Sequence, residues 1–363
     1  MLNKITHQYD KFDPLLDTLM DYVNRINKIL KPSIDPDLPK VVDLFAGAGG
    51  LSLGFEAAGF KTIGYEMNPT FCKTYKNNLD GNCINLELNK DSEVVDSDII
   101  IGSPPCQPFS EVGKGKGLAD SRDGFPIFIS IVKKNKPLIW MFENVPGMMH
   151  EKNIKYLIEI REALEKEYKI YPILRRSEII NCADFGVPQN RKRIFVIGYR
   201  KGLYKFPKKP HPIPKLHLTV GEALEDLLVN EDQTYKYLNK KQEEYIKSYE
   251  IKCELKNSRD LYFDRPSRTL TTRNISGATA DMLRIKLPDD RRRMLTHSEA
   301  ARLQSFPDWF EFSGSQTEIS TQIGNAVPPL LAYYIGQSFR NYLSTLEKEM
   351  PTITHQSRLQ VST

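Results

Sequence analysis

The 363-residue chain has no apolar run approaching the ~20 residues of a membrane-spanning helix. Its opening residues, MLNKITHQYDKF, lack the apolar stretch that marks a secretory signal. A cytoplasmic protein without membrane attachment is therefore expected. Disulfide and metal signatures are absent too. Cys72, Cys83, Cys106, Cys182 and Cys253 are odd in number, widely spaced and form no C-x-x-C pair, which argues against a disulfide framework or a zinc site and suits a reducing compartment. Apart from His7, the histidines stand at 150, 211, 217, 297 and 355 with no H-x-x-x-H spacing, so no metal is expected. The glycines form neither G-x-G-x-x-G nor a P-loop G-K-[ST], which disfavours NAD and ATP. No internal repeat is evident.

What is present is an ordinary globular composition, 40% hydrophobic and 27% charged, long enough for one sizeable core and a smaller second domain. The net charge of +5 permits nucleic-acid binding without establishing it. Basic clusters stand at Lys205, Lys208 and Lys209, and at Arg291-Arg292-Arg293.

Helical spacing of apolar residues over 13–30, opened by Asp13-Pro14, predicts an amphipathic helix packed on the main domain or on a partner. A proline-rich linker, KPSIDPDLP, comes next. Buried-strand patterns then recur at 41–45, 61–65, 83–88, 98–101, 138–142 and 194–198, with helical stretches between most of them. That alternation predicts an α/β fold with a doubly wound, mostly parallel sheet. The first strand runs into Ala46-Gly47-Ala48-Gly49-Gly50 and a helix, and the second ends in Glu66. Such a strand, glycine turn, helix, strand and acid form a nucleotide-type site, with the acid suited to ribose hydroxyls. Residues 199–262 are basic and rich in Tyr and Lys, with prolines at 207, 210, 212 and 214, so a domain boundary is expected near Gly198. The expected parts are an N-terminal extension (1–37), a catalytic domain (38–198), a second smaller domain (199–317), a return segment completing the first (318–347) and a flexible tail (348–363).

The chain is organised around Gly102-Ser103-Pro104-Pro105-Cys106-Gln107-Pro108-Phe109-Ser110. The aliphatic run before Gly102 reads as a buried strand. Two prolines then fix the backbone leading into Cys106 at the strand's C-terminal edge, where ligands bind in open α/β sheets.

Taken together, these motifs resemble the cytosine-5 DNA methyltransferases, in that family's order over most of residues 40–340. DLFAGAGG (43–50) is similar to the S-adenosylmethionine (SAM) loop, GSPPCQPFS to the nucleophile loop, and Glu143-Asn144-Val145 to the cytosine-binding ENV. Gln189-Asn190-Arg191-Lys192-Arg193, preceded by Asp184-Phe185-Gly186-Val187-Pro188, resembles the Q-x-R-x-R strand start. Arg268-Thr269-Leu270-Thr271 resembles R-x-[LI]-T, and Gly324-Asn325-Ala326-Val327-Pro328-Pro329 the closing helix start. Three places depart from the pattern: Glu87 where an Asp is usual, Met67 where an aromatic often stands, and Asp123-Gly124-Phe125-Pro126 after Arg122.

The resemblance implies a Rossmann-like SAM-dependent methyltransferase sheet with a smaller target-recognition domain. It implies methyl transfer from SAM to C5 of a cytosine flipped out of a short, specific double-stranded DNA site. Cys106 would attack C6, because the thiolate is the reactive form of cysteine and turns the ring into an enamine. Glu143 would assist at N3, its carboxyl suited to proton donation if desolvated. Arg191 and Arg193, two apart on one strand, would bind the base carbonyl or hold Glu143 and a phosphate. Phe45, Ala46, Gly47, Gly49, Gly50, Leu51, Glu66, Met67, Glu87, Leu88, Pro104, Asn325 and Ala326 are the implied cofactor contacts. Pro105, Gln107, Ser110, Lys114, Lys116, Arg122, Asn144, Arg268 and Thr271 are the implied DNA contacts. Glu111 to Gly117 would form the loop that closes over DNA. The cofactor implied is SAM, giving S-adenosylhomocysteine, with no metal. The expected partner is double-stranded DNA, with a functional pairing to a restriction endonuclease but no stable complex, and a monomeric state. Two alternatives stand beside this reading. The tRNA-methylating branch of the family usually carries Cys-Phe-Thr where Cys253-Glu254-Leu255 stands here. A catalytically silent DNA- or SAM-binding scaffold would predict erosion of Cys106 or Glu143.

Overall fold

The computed structural model describes residues 21–105, 123–171, 179–228, 235–255, 258–277, 280–287 and 289–349. Among them an eight-stranded sheet forms the centre. Its strands are β1 (Val41–Leu44), β2 (Thr62–Glu66), β3 (Asn82–Asn85), β4 (Ile99–Gly102), β5 (Ile139–Asn144), β6 (Lys169–Tyr171), β7 (Ile180–Asn181) and, after the two-residue β8 (Gln189–Asn190) outside this sheet, β9 (Lys192–Tyr199). The order is β3-β2-β1-β4-β5-β9-β6, with β7 also on β9. β3 to β5 in this order are parallel, whereas β6, β7 and β5 all meet β9 antiparallel. The sequence expectation of a mostly parallel, doubly wound sheet therefore describes its larger half. Val41, Val42, Ile99, Ile100 and Ile101 are fully buried, as strands covered on both faces require.

Strand order reverses between β1 and β4, the place where doubly wound sheets open a ligand crevice at the strand C-termini. Register levels that edge. Leu44 pairs with Gly102, and Gly102 with Phe142. Gly102 cannot carry a side chain there, because a Cβ would lie 2.6 Å from the Leu44 carbonyl oxygen.

Helix α1 (Tyr22–Ile29), capped by Asp21, packs on this same chain. Tyr22, Ile26 and Leu30 enter the main core, the Tyr22 hydroxyl donates to the Arg302 carbonyl at 2.7 Å, and Arg25 donates to the Tyr334 hydroxyl at 2.6 Å. The earlier part of the expected helix, 13–20, lies outside the described residues. Helix α2 (Gly50–Ala57) comes after the glycine turn, and α3 (Pro69–Asn78) after β2. Helices α4 (Phe125–Asn135) and α5 (Glu151–Leu164) flank β5. The third strand ends at Asn85 rather than 88, so Glu87 and Leu88 stand beyond it.

The second half supplies α6 (Val220–Leu228), α7 (Lys240–Lys252), β10 (Ser267–Arg268), α8 (Thr272–Ile275), a hairpin of β11 (Arg284–Lys286) and β12 (Arg292–Met294), α9 (His297–Leu303), α10 (Gln316–Asn325) and α11 (Pro329–Glu349). Ile246, Ala280 and Met282 form a small separate core. Phe306 and Phe310 instead join Ala46, Leu53, Cys72 and Cys83. Helix α11 returns against α2, where a Cβ on Gly54 would sit 2.4 Å from Ala332 Cβ.

Asp43 and Glu56 are among the acids buried in this body. Asp43 accepts from the Ser52 hydroxyl at 2.7 Å. Glu56 accepts the Asp80 and Gly81 amides, each at 2.8 Å. Burial pushes each carboxyl up to about 7, above the value of an unfolded chain. The folded state thus holds these protons longer, and stability present at low pH is lost as pH rises through 7. The Asp43→Asn variant, which cannot ionise there, should gain thermal midpoint relative to wild type as pH rises from about 5 to about 8, as measured by circular dichroism. A pH-independent difference would contradict the assignment.

Candidate active site

Three chain segments leave the β1–β4–β5 edge side by side: the glycine turn after β1, Ser103-Pro104-Pro105 after β4, and Glu143-Asn144 at the end of β5. The proline pair is clamped from several directions. Ser103 N donates to the Leu44 carbonyl at 3.3 Å, and Gly124 N donates to the Pro105 carbonyl at 3.1 Å. The Asn144 amide donates to the Pro104 carbonyl at 2.9 Å. Gly124 also packs flat on the prolines, since a Cβ there would lie 2.5 Å from Pro105 Cδ. This gives the departure at Asp123-Gly124 a local reason. Cys106, Gln107, Ser110, Lys114, Lys116 and Arg122 lie outside the described residues.

Glu143 is buried and pairs with Arg193 Nε at 2.8 Å. The pair is a consequence of register, because Glu143 stands opposite Phe195 and Asn144 opposite Ile194 on β9, leaving Arg193 at the edge. Arg191 and Arg193 do not share a role, as their spacing alone suggested. Arg191 falls between β8 and β9, fully buried, and donates to the Leu270 carbonyl at 2.9 Å and the Gly324 carbonyl at 3.1 Å. Burial and the neighbouring Arg193 charge pull Arg191 down to about 9, with Glu143 opposing, so it remains a cation at neutral pH.

Gln189 extends this joint. Its side-chain oxygen accepts from Leu270 N at 2.9 Å, and its amide donates to the Leu303 carbonyl at 3.2 Å. Gln304 bridges onward to the Ile323 and Ala326 carbonyls at 3.1 and 2.8 Å. Three segments far apart in sequence, 189–191, 268–271 and 323–326, are thus held by buried side-chain hydrogen bonds. Gln304 carried no signal in the sequence, being a single glutamine after a helix.

On the glycine-turn side, Phe45 has φ 61°, Gly47 φ 57° and Gly49 φ 88°. A Cβ on Gly47 would meet nothing within 4 Å, whereas one on Gly49 would lie 2.7 Å from the Tyr75 ring, so the turn faces open space at Gly47, as a close-fitting ligand requires. Glu66 receives Gly47 N at 2.9 Å and Asn68 N at 2.8 Å, and burial raises its carboxyl above the ordinary range. Met67 is 63% exposed, Glu87 and Asn325 are exposed, and Leu88 and Leu51 are buried in the core. Gly50 lies against the return segment, where a Cβ would be 2.7 Å from the Val327 carbonyl oxygen. Ala46 and Pro104 are buried and Ala326 is half-buried. The open glycine turn, with an acid at the end of the next strand, fits a nucleoside-bearing cofactor.

Of the other expected DNA contacts, Pro105 is exposed. Asn144 is buried on Pro104, Arg268 is ion-paired with Asp281 at 3.0 Å, and the Thr271 hydroxyl caps α8 by accepting from Asn274 N.

A 3-2-1-4-5 sheet with a glycine turn after β1 defines an α/β protein with a nucleotide-type site. The model of the C-5 cytosine-specific DNA methylase family matches residues 39–341. The chain is 48% identical over 326 residues to the Type II methyltransferase M.AplI of Arthrospira platensis, spanning 88% of this chain and 91% of that protein. It is 32% identical to the Type II methyltransferase M.XorII of Xanthomonas oryzae, spanning 82% and 84%. The fold is shared with the Entamoeba histolytica methyltransferase EhMeth, at TM-score 0.63 and 18% identity over 84% of this chain and 98% of that one. The chain belongs to the C-5 cytosine-specific DNA methylase family. It is a DNA cytosine-5 methyltransferase, and the family is SAM-dependent.

The Arg191→Met variant leaves the Leu270 and Gly324 carbonyls without their buried donor. It should lower unfolding free energy by about 3 kcal/mol in urea titrations. An unchanged midpoint would mean that these bonds carry no stability.

Proposed function

We propose that the protein methylates C5 of a cytosine flipped out of a short double-stranded DNA site, through a covalent bond between Cys106 and C6. The observation that carries this reading is the convergence at one strand edge. Glu143, held by Arg193 at 2.8 Å, stands beside the clamped Pro104-Pro105 pair that leads directly into Cys106.

The Cys106 thiolate attacks C6, and the electrons displaced through the ring make C5 nucleophilic. Glu143 accompanies the charge that develops at N3 by sharing a proton there, while Arg193 fixes the direction of its carboxyl. SAM supplies the electrophilic methyl group when bound. The turn from Phe45 to Gly50 would hold it, with Leu51, Glu66, Met67, Glu87, Leu88, Pro104, Asn325 and Ala326 around it. After methylation, loss of the C5 proton to a base and departure of the Cys106 sulfur restore the aromatic ring. Asn144 acts as a positioning residue, through the Pro104 carbonyl. Gln107, Ser110, Lys114, Lys116 and Arg122 would meet DNA from the loop after the nucleophile, with Pro105 at its base. Arg268 and Thr271 would stand at the recognition side.

Residues 38–198 with 318–347 would form the catalytic domain, and 199–317 the target-recognition domain. Unstacking the base costs a few kcal/mol, so duplex must be gripped on both sides of the target. The Type II relatives support pairing in function with a restriction endonuclease, without a stable complex. We place the protein in the cytoplasm as a monomer. No helix among the described residues is long and apolar enough to cross a membrane.

The test is transfer of labelled methyl from SAM to unmethylated duplex DNA, with tRNA in parallel. Duplex should be labelled, and Cys106→Ser should lose turnover while keeping SAM affinity. Glu143→Gln should reduce kcat by roughly 100-fold or more with little change in DNA affinity. Full activity in Cys106→Ser, or label confined to tRNA, would overturn the reading.

A further inference from the structure

Away from the strand edge, a groove of about 540 Å³ opens beside β10. Asn190, Arg259, Tyr262, Arg265 and Arg268 are among its lining residues. Asn190 immediately precedes the buried Arg191, so one end of the groove adjoins the joint described above. Three guanidiniums and the carboxylate of Asp260 line the groove. Arg259 and Arg268 converge on a single acid, Asp281, at 3.6 and 3.0 Å. The longer approach is an ion pair without a hydrogen bond. Both Nε atoms are buried with no hydrogen-bond partner among the described residues. At the rim, Arg265 lies over the Tyr262 ring at 4.7 Å and pairs with Asp264 at 2.7 Å.

Two cations sharing one anion leave a net positive charge, and an unmatched buried N–H is costly until an acceptor arrives. Burial and the adjacent Arg259 charge lower Arg268, while Asp281 opposes this. An anionic oxygen entering the groove would answer both the repulsion and the vacant donors. Other acids nearby are already engaged. Asp260 receives Arg284 at 2.6 Å and Arg292 at 3.1 Å. Glu243 receives Arg292, and Glu250 receives Arg284.

Resting on the DNA-methylating reading, we propose that Arg259 and Arg268 form a phosphate clamp for the duplex backbone, kept in reserve by Asp281. In the free protein, Asp281 stands in for the phosphate. On binding, the loosely held Arg259 transfers to a DNA phosphate, and Arg268 stays anchored through its bonds to the Asp281 carboxylate and carbonyl. The clamp positions DNA and carries no sequence information of its own.

The opposite signs expected for two substitutions separate this role from a purely structural one. Binding of a fluorescein-labelled duplex is measured by anisotropy from low to moderate salt, with folding of each variant checked by circular dichroism. Arg259→Ala should weaken binding about fivefold at low salt and reduce the slope of log Kd against log salt by about one. Arg259→Lys, which retains the charge, should restore most of that slope. Asp281→Asn removes the shared charge, releasing Arg259 while Arg268 keeps its bond to the residue-281 carbonyl, and should tighten binding about threefold, by the same electrostatic effect. An unchanged slope in Arg259→Ala, or weaker binding by folded Asp281→Asn, would overturn the clamp even if wild type methylates duplex DNA. A wild-type protein that neither binds nor methylates duplex DNA would overturn the clamp together with the reading on which it rests.

Discussion

The buried guanidinium of Arg191 is the point on which the arrangement depends. It bonds the carbonyls of Leu270 and Gly324, and Gln189 and Gln304 extend the contact to Leu303, Ile323 and Ala326. The surrounding backbone is too close for the joint to be loosely made. A Cβ on Gly324 would lie 2.3 Å from Thr272 N. A buried polar network of this kind is stabilising only when its members find partners, and its effect is to fix residues 268–271 and 323–326 against the start of β9. Arg193, two residues on, then reaches Glu143 with its direction already set.

A second constraint acts at the sheet edge. Parallel register brings Leu44, Gly102 and Phe142 level, so the segments leaving β1, β4 and β5 emerge side by side. Asn144 and Gly124 hold the proline pair there. Preorganisation of this type lets a nucleophile meet its target without ordering the chain at the moment of reaction. The turn on the other side adopts positive φ at Phe45, Gly47 and Gly49 and faces open space at Gly47.

Much of this was legible in the sequence, for identifiable reasons. Continuous aliphatic runs such as Ile99-Ile100-Ile101 signal buried parallel strands, and Gly102-Ser103-Pro104-Pro105 marks an abrupt, rigid exit. The antiparallel direction of β9 was not legible, because hydrophobic pattern does not encode strand direction. The period-two rule misplaced Arg191, since a break between β8 and β9 turns its side chain into the interior joint. Asn144 reads as a base contact from its motif. Its bond to Pro104 depends on β5 running two residues past the Gly102–Phe142 pair that ends β4, which is a tertiary fact. Gln304, Arg259 and Asp281 gave no local signal, and the R-x-[LI]-T motif marked Arg268 without its acidic partner, because these roles lie in contacts between separate segments.

The chemistry proposed for this edge stands or falls on a covalent bond between cytosine and the residue that the clamped proline pair presents. Its most direct measurement uses duplex DNA carrying 5-fluorocytosine at the methylated position, incubated with the protein and SAM. Fluorine at C5 cannot leave as a proton does, so the final elimination is blocked and the adduct persists. Peptide mass spectrometry should place that adduct on Cys106. An adduct on another residue, or none from protein that turns over ordinary duplex, would contradict a Cys106 nucleophile.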